Sequence, residues 1–179
     1  MDAFSTMMGN KTTKSGYSII KGSHNTEEDA CYLLQFDGLS NPNPGVSSGG
    51  AVMFSPNDRK VVFERGEFIE FATNNQAEYT GLLIGIKSAV DLEVKHLLIE
   101  GDSQLVIFQI QGKWKLKNEG LKQLHKDITT LLKNFEFIGI RHVRRDNNQY
   151  ADKITNDVFE SRTSYLKTKD IRVKSIESK

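Results

Sequence analysis

Cysteine is almost missing from this chain, with Cys31 the single example in 179 residues. An internal disulfide is excluded, as is a structural Zn²⁺ site built on two or more thiolates, and a reducing compartment is the natural expectation. Proline is scarce at three residues, which removes collagen-like and proline-rich extended architectures. Neither sign of charge prevails: 24 Lys+Arg stand against 23 Asp+Glu, for a net charge of +1. A generally basic nucleic-acid binder is thereby excluded, so any grip on a polyanion must come from a local patch. Long apolar runs are missing as well. Stretches such as Gly81 to Ile86 and Leu105 to Ile110 fall far short of the roughly twenty residues that span a bilayer, so no membrane segment is expected. The first thirty residues hold neither the apolar core of a secretory signal nor the arginines of a transit peptide, and the expected location is cytosolic or nuclear.

What remains is a globular composition, 37% hydrophobic and 26% charged, in a length that suits one domain. Residues 1–30 show no sustained hydrophobic period and are expected to form a flexible polar tail. Residues 164–179 are expected to form a basic C-terminal tail, which leaves one folded domain over 31–163. Cys31 to Phe36 and Gly50 to Phe54 are short apolar runs separated by a stretch dense in turn formers, Gly38 to Gly45, and predict strand, loop, strand. Lys60 to Phe71 predicts a third strand, with Arg65-Gly66 a bulge or turn. Asn74 or Asn75 can cap a helix whose Tyr79, Leu82, Leu83, Ile86 and Val90 form an apolar stripe. Leu97-Leu98-Ile99 has the continuous apolar character of a strand buried on both faces. Asp102 and Ser103 can cap a short helix from Gln104 to about Gln111. Leu121, Leu124, Ile128 and Leu131 mark another helix, Phe135 to Val143 the last strand, and Asn147 or Asn148 the cap of a final helix. The order β-β-β-α-β-α-α-β-α predicts an α/β fold with one mixed sheet, antiparallel at its start and parallel once helical crossovers begin.

Any one of the 23 acidic residues taken alone is a solvated surface charge. Four are placed differently. Asp37 ends the first strand and Asp102 ends the buried strand, so if those strands are neighbours both carboxylates emerge at one carboxyl edge, where open α/β sheets hold ligands. Glu78 and Asp152 each lie one turn into a helix, and two helix starts can deliver them to the same point. Like charges held together demand a shared cation. A set of carboxylates without a cysteine or histidine cluster suits Mg²⁺ or Mn²⁺. Phosphoryl transfer by two metals about 3.5 to 4 Å apart uses such a site.

The residues around these carboxylates extend the pattern into recognisable motifs. Phe36-Asp37-Gly38-Leu39-Ser40-Asn41-Pro42-Asn43-Pro44-Gly45, followed by Ser48-Gly49-Gly50-Ala51, opens the series. Thr73-Asn74-Asn75-Gln76-Ala77-Glu78-Tyr79-Thr80-Gly81-Leu82 comes second. Gly101-Asp102-Ser103-Gln104-Leu105-Val106, running on to Gly112-Lys113-Trp114-Lys115, is third, and His142 to Asp152 is fourth. Taken in order, they resemble the ribonuclease H family of type 1, most closely its plant- and bacterial-type branch that lacks a basic protrusion. The match covers roughly Tyr32 to Phe159.

The resemblance implies a five-stranded mixed sheet flanked by helices and an endoribonuclease that hydrolyses the RNA strand of RNA/DNA hybrids, leaving 3′-hydroxyl and 5′-phosphate ends. It implies Asp37, Glu78, Asp102 and Asp152 as catalytic metal ligands for two Mg²⁺ ions, for which Mn²⁺ can substitute. It also implies substrate contacts from Gly38, Asn43, Asn74, Asn75, Ser103 and Gln104; the side-chain amides of Asn74, Asn75 and Gln104 suit a 2′-hydroxyl because they donate and accept. Lys113, Trp114, Lys115 and Lys117 are the expected grip, lysines on phosphates and the indole stacked on sugar or base. The expected partner is the hybrid, with no membrane contact and a monomeric state. The chain departs from many bacterial members in having no histidine in the short loop from Arg144 to Gln149. Plainer readings stand beside these: Asn74 and Asn75 as helix caps, Trp114 as a wedge at a helix junction, His142 as a packing residue, and the whole domain as an inactive nucleic-acid-binding copy of the fold or a DNA nuclease.

Overall fold

The computed structural model describes residues 11–168. Seven strands form a single sheet in the order β1-β6-β5-β2-β3-β4-β7. They are β1 (Ser18–Lys21), β2 (Tyr32–Ser40), β3 (Gly45–Phe54), β4 (Val61–Ala72), β5 (His96–Gly101), β6 (Phe137–His142) and β7 (Tyr165–Thr168). The helices are α1 (Asn74–Asp91), α2 (Gln104–Ile110), α3 (Glu119–Leu132) and α4 (Gln149–Ser161). β2, β3 and β4 form an antiparallel meander, while β5 pairs parallel with both β2 and β6. Among the described residues no helix is long and apolar enough to cross a membrane.

The five expected strands form the middle of this sheet, and two more lie at its edges. Ser18–Lys21, placed by composition in a polar tail, pairs antiparallel with β6. Tyr165–Thr168, placed in a basic tail, pairs antiparallel with β4. Both strands are four residues long, too short to show a period, and they gain order from pairing with a finished sheet rather than from their own pattern. Tyr17 and Ile19 bury against Cys31, Leu98 and Phe137 and form a small core of their own. The expected tail cations Lys169, Arg172 and Lys174 lie outside the described residues.

Alternation along the strands sorts the two faces. Leu34 and Phe36 of β2, Met53 of β3, and Leu97 and Ile99 of β5 point into the main core beneath α1 and α3, while Val52 meets Ala151 and Ile154 of α4 on the other face. Leu97, Leu98 and Ile99 are all buried, as a central strand covered on both faces requires. α1 is buried well beyond the expected stripe, at Ala77, Glu78, Gly81, Ile84 and Ser88 as well, because it lies between the sheet and α3. Arg65-Gly66 is no bulge: it pairs in register with Ala51 and Gly50. The glycine is there because a Cβ at Gly66 would stand 2.3 Å from Val158 of α4.

Two glycines decide how closely α1 approaches the sheet. A Cβ on Gly38 would stand 2.2 Å from the Glu78 nitrogen, and one on Gly81 would stand 2.2 Å from the Asp37 carbonyl oxygen. Helix and strand therefore meet backbone to backbone. Replacing Gly81 with alanine forces them apart, and overpacking of this kind costs about 1 to 3 kcal/mol, or roughly 3 to 10 °C in Tm for a domain of this size. Thermal denaturation of Gly81→Ala checks this, and a Tm equal to wild type would show that the close approach is not under strain.

Candidate active site

Phe36 of β2 is the register partner of Gly101 of β5 in the parallel pair. The parallel pairing ends there. Asp37 follows inside β2, which runs on to Ser40 paired with β3 and is not the strand end expected from the sequence. Asp102 follows just past β5, so both carboxylates stand at the same edge of the β2/β5 pair. Thr73 starts α1 with a capping box: its hydroxyl accepts from the Gln76 N–H at 3.1 Å, and the Gln76 side chain accepts from the Thr73 N–H at 2.9 Å. That cap places Glu78 in the second turn over Gly38, so that Asp37, Glu78 and Asp102 each offer an oxygen within 4.8 Å of the others.

The fourth expected ligand, Asp152, is not within this trio. It lines the same open cleft of about 290 Å³, its side chain 34% exposed and 3.7 Å from the Arg145 guanidinium. Its entry into the cleft is set by Asn148. This residue begins α4 without a side-chain capping bond. Its buried amide instead donates to the Phe36 carbonyl at 2.9 Å and reaches Asp102 Oδ1 at 3.4 Å, while its own carbonyl accepts from the Asp152 N–H. The sequence pattern pointed to Asn148 only as a helix cap. Arg145 and Asn156 also line the cleft, and sequence reasoning passed over both. The signal for Arg145 was a cation one helical turn from the start of α4.

Electrostatics show what the cluster lacks. Burial, aided by the nearby Asp102 charge, pushes the Asp37 carboxyl up to about 7. Glu78 is pushed well above the ordinary carboxylate range, first by burial and then by Asp37. Its Oε2 is buried without a hydrogen-bond partner. Three hard oxygen donors, two of them disfavoured as bare anions and one orphaned, are a donor set that fits a divalent cation.

The expected substrate contacts fall into two groups. Gly38, Asn74 and Ser103 line the cleft. Gly38 also serves as the floor under α1, and Ser103 caps α2 by accepting from the Val106 N–H. Because Thr73 is the cap of α1, Asn74 and Asn75 are free of that task, and the Asn74 N–H is held by Asn43 Oδ1 at 2.9 Å. Gln104 is exposed at the start of α2. Lys113, Trp114, Lys115 and Lys117 lie away from the cleft, exposed on the connection between α2 and α3. Trp114 is 45% exposed and packs edge-on against Phe108, with ring centroids 4.9 Å apart, so it is both a wedge and an open surface. His142 sits at the end of β6 with Nε2 3.1 Å from the Asp102 carbonyl oxygen.

Comparison with known proteins agrees with this geometry. The model of the reverse transcriptase-like family matches residues 35–158. Bifunctional protein Rv2228c of Mycobacterium tuberculosis is 36% identical over 129 residues, covering 72% of this chain and 35% of that protein. Its solved N-terminal RNase H domain superposes with a TM-score of 0.71 over 74% of this chain and 95% of the domain structure. Ribonuclease HI of Halobacterium salinarum is 38% identical over 125 residues, covering 70% of this chain and 62% of the relative. The crystal structure of RNase H1 from that archaeon gives a TM-score of 0.70 at 36% identity, over 73% of this chain and 98% of that one. LC11-RNase H1, solved in complex with an RNA/DNA hybrid, gives 0.65 at 25% identity, over 73% and 98%. The chain thus spans about a third of the mycobacterial relative and less than two-thirds of the archaeal one. With a family model matching most of the described chain, and two solved domains similar over nearly their whole length, this protein belongs to the ribonuclease H family.

Proposed function

We propose that this protein hydrolyses the RNA strand of RNA/DNA hybrids at the cleft bounded by Asp37, Glu78, Asp102 and Asp152, using two Mg²⁺ ions. The observation that carries the proposal is the convergence of three carboxylates within 4.8 Å, one bearing an orphaned buried oxygen, at the edge where the parallel pairing of β2 and β5 ends. Relatives named ribonuclease HI and RNase H1, one of them solved with a hybrid, support the choice of substrate.

In this reading Asp37, Glu78 and Asp102 hold the cations, and Asp152 completes the set from the other side of the cleft. Bound divalent ions would lower the pKa of a water and stabilise charge on the leaving oxygen. The water oxygen attacks phosphorus, the P–O3′ bond breaks, and a proton ends on the departing O3′, giving 3′-hydroxyl and 5′-phosphate products. Asn74, Asn75 and Gln104 present amides to ribose 2′-hydroxyls, which is how RNA is told from DNA. Lys113, Lys115 and Lys117 neutralise phosphates, and Trp114 stacks with its open face.

Asp37→Asn and Asp102→Asn each remove one anionic oxygen while keeping shape. Each is expected to abolish Mg²⁺-dependent cleavage of a labelled hybrid while the fold and hybrid binding persist. Substantial cleavage by either variant would sink the metal assignment. Matched double-stranded DNA in the same assay separates a hybrid-specific enzyme from a general nuclease.

The raised Asp37 and Glu78 values also set a pH dependence for the metal-free protein. Both groups bind protons more tightly folded than unfolded, so their contribution is most favourable at low pH and is lost as pH rises from about 4 through about 7. Asp37→Asn escapes this penalty. Its Tm in chelator is expected to exceed wild type by on the order of 5 °C at pH 8 and by much less at pH 5. An equal difference at the two pH values would show that charge repulsion is not the cause.

Salt dependence distinguishes the roles of the basic connection. With Asp102→Asn used to prevent turnover, the log–log slope of hybrid affinity against salt is expected to become shallower by about one unit or less for each Lys→Ala at 113, 115 and 117. Trp114→Ala should weaken binding by about 1 to 3 kcal/mol with the slope unchanged. A triple lysine variant with wild-type affinity and slope would remove this connection from the interface.

A further inference from the structure

A second buried polar cluster lies on the α4 face of the sheet, two residues before Asp102. Glu100 is 4% exposed and accepts hydrogen bonds from three elements. The Tyr17 hydroxyl, just ahead of β1, donates to its Oε2, and the Arg141 guanidinium of β6 donates to the same oxygen through Nε at 3.1 Å and Nη2 at 2.8 Å. The Gln35 amide of β2 donates to Oε1 at 2.8 Å. Arg141 also lies over the Tyr17 ring at 4.2 Å and donates to the Ser15 carbonyl at 2.7 Å, so the N-terminal segment closes the pair from above. A buried carboxylate is retained only when its oxygens are satisfied in this manner.

The Gln35 amide has two hydrogens, and the second goes elsewhere. Its Nε2 also donates to the Asn147 carbonyl at 3.2 Å, in the turn that leads into α4. Asn147 immediately precedes Asn148, which is tied to Phe36 and Asp102 and whose carbonyl receives the Asp152 N–H. One side chain therefore connects the buried ion pair to the turn that presents Asp152. Glu100 fixes which way that amide faces, since its carboxylate can only accept.

We propose that Gln35 and Glu100, locked by Tyr17 and Arg141, are positioning residues that hold the 145–148 turn and thereby place Asp152 in the cleft. This rests on the proposed metal-dependent function of the same site. It assigns the N-terminal segment a task in catalysis: Tyr17 and Ser15 complete the socket without approaching the cleft.

Gln35→Met keeps length and removes the donor, and Glu100→Gln keeps shape and sets an N–H₂ against other donors. Either is expected to lower kcat on a hybrid by about tenfold with KM within about twofold of wild type, and to weaken Mn²⁺ binding measured by calorimetry by a similar factor. Hydrogen exchange at amides 147–152 should accelerate in both, while amides within α1 stay protected. Leu92→Ala, at the far end of α1, supplies a matched loss of stability away from this path. Wild-type kcat, Mn²⁺ affinity and exchange in Gln35→Met would overturn the proposal, as would an equal fall in kcat for Leu92→Ala. A wild-type protein without metal-dependent cleavage would refute the proposed function instead, and the exchange measurement would still decide the positioning role.

Discussion

The contact on which the site depends is one with no side chain in it. Gly38 and Gly81 let the backbone of α1 rest on the backbone of β2, and only that distance brings Glu78 over Asp37. A methyl group on either glycine would enter space already held by main-chain atoms, and main chain gives way far less readily than a flexible side chain. The glycines of the first and second motifs are thus a distance specification for the carboxylates that follow them.

From that contact comes an electrostatic debt that the protein does not settle with its own residues. Asp37 and Glu78 are buried beside each other and near Asp102, and Arg145, which lines the same cleft, pairs with Asp152. The same sheet answers a comparable problem differently two residues before Asp102. Glu100, equally buried, receives Arg141, Tyr17 and Gln35 and is fully satisfied. Two buried acidic clusters, one closed by protein donors and one facing the cleft, mark the difference between a structural ion pair and a donor set that fits a divalent cation.

The two clusters also divide the work of order. The open one needs its carboxylates held against repulsion, and the elements that hold them come from both faces: α1 beneath, with its capping box at Thr73, and the Asn148 turn above. The closed one ties that turn to β2, β5 and β6. The segment just ahead of β1, with Tyr17 and Ser15, then closes over this cluster, so residues of low hydrophobic content help to order this face of the sheet.

How much of this was legible beforehand follows from the range of each interaction. Local patterns were sufficient for the five central strands, the four helices and the placement of Asp102 just past a strand end, because alternation, helical period and turn formers are properties of neighbours in sequence. Asp37, expected to end its strand, lies inside β2, where Gly38, Leu39 and Ser40 continue the ladder by pairing with Gly49, Ser48 and Ser47 of β3. The motifs around the four carboxylates were equally local. Only the tertiary structure decided that Asn148 bonds Phe36 and Asp102 instead of capping α4, since a capping pattern does not reveal what stands opposite the side chain. Only it showed that Gly66 accommodates Val158 rather than a bulge, that Ser18–Lys21 and Tyr165–Thr168 are strands, and that Glu100, ordinary among the acidic residues, is the centre of a buried network. Each of these depends on a partner far away in the chain, and four-residue segments or single polar side chains carry no period from which such a partner can be inferred.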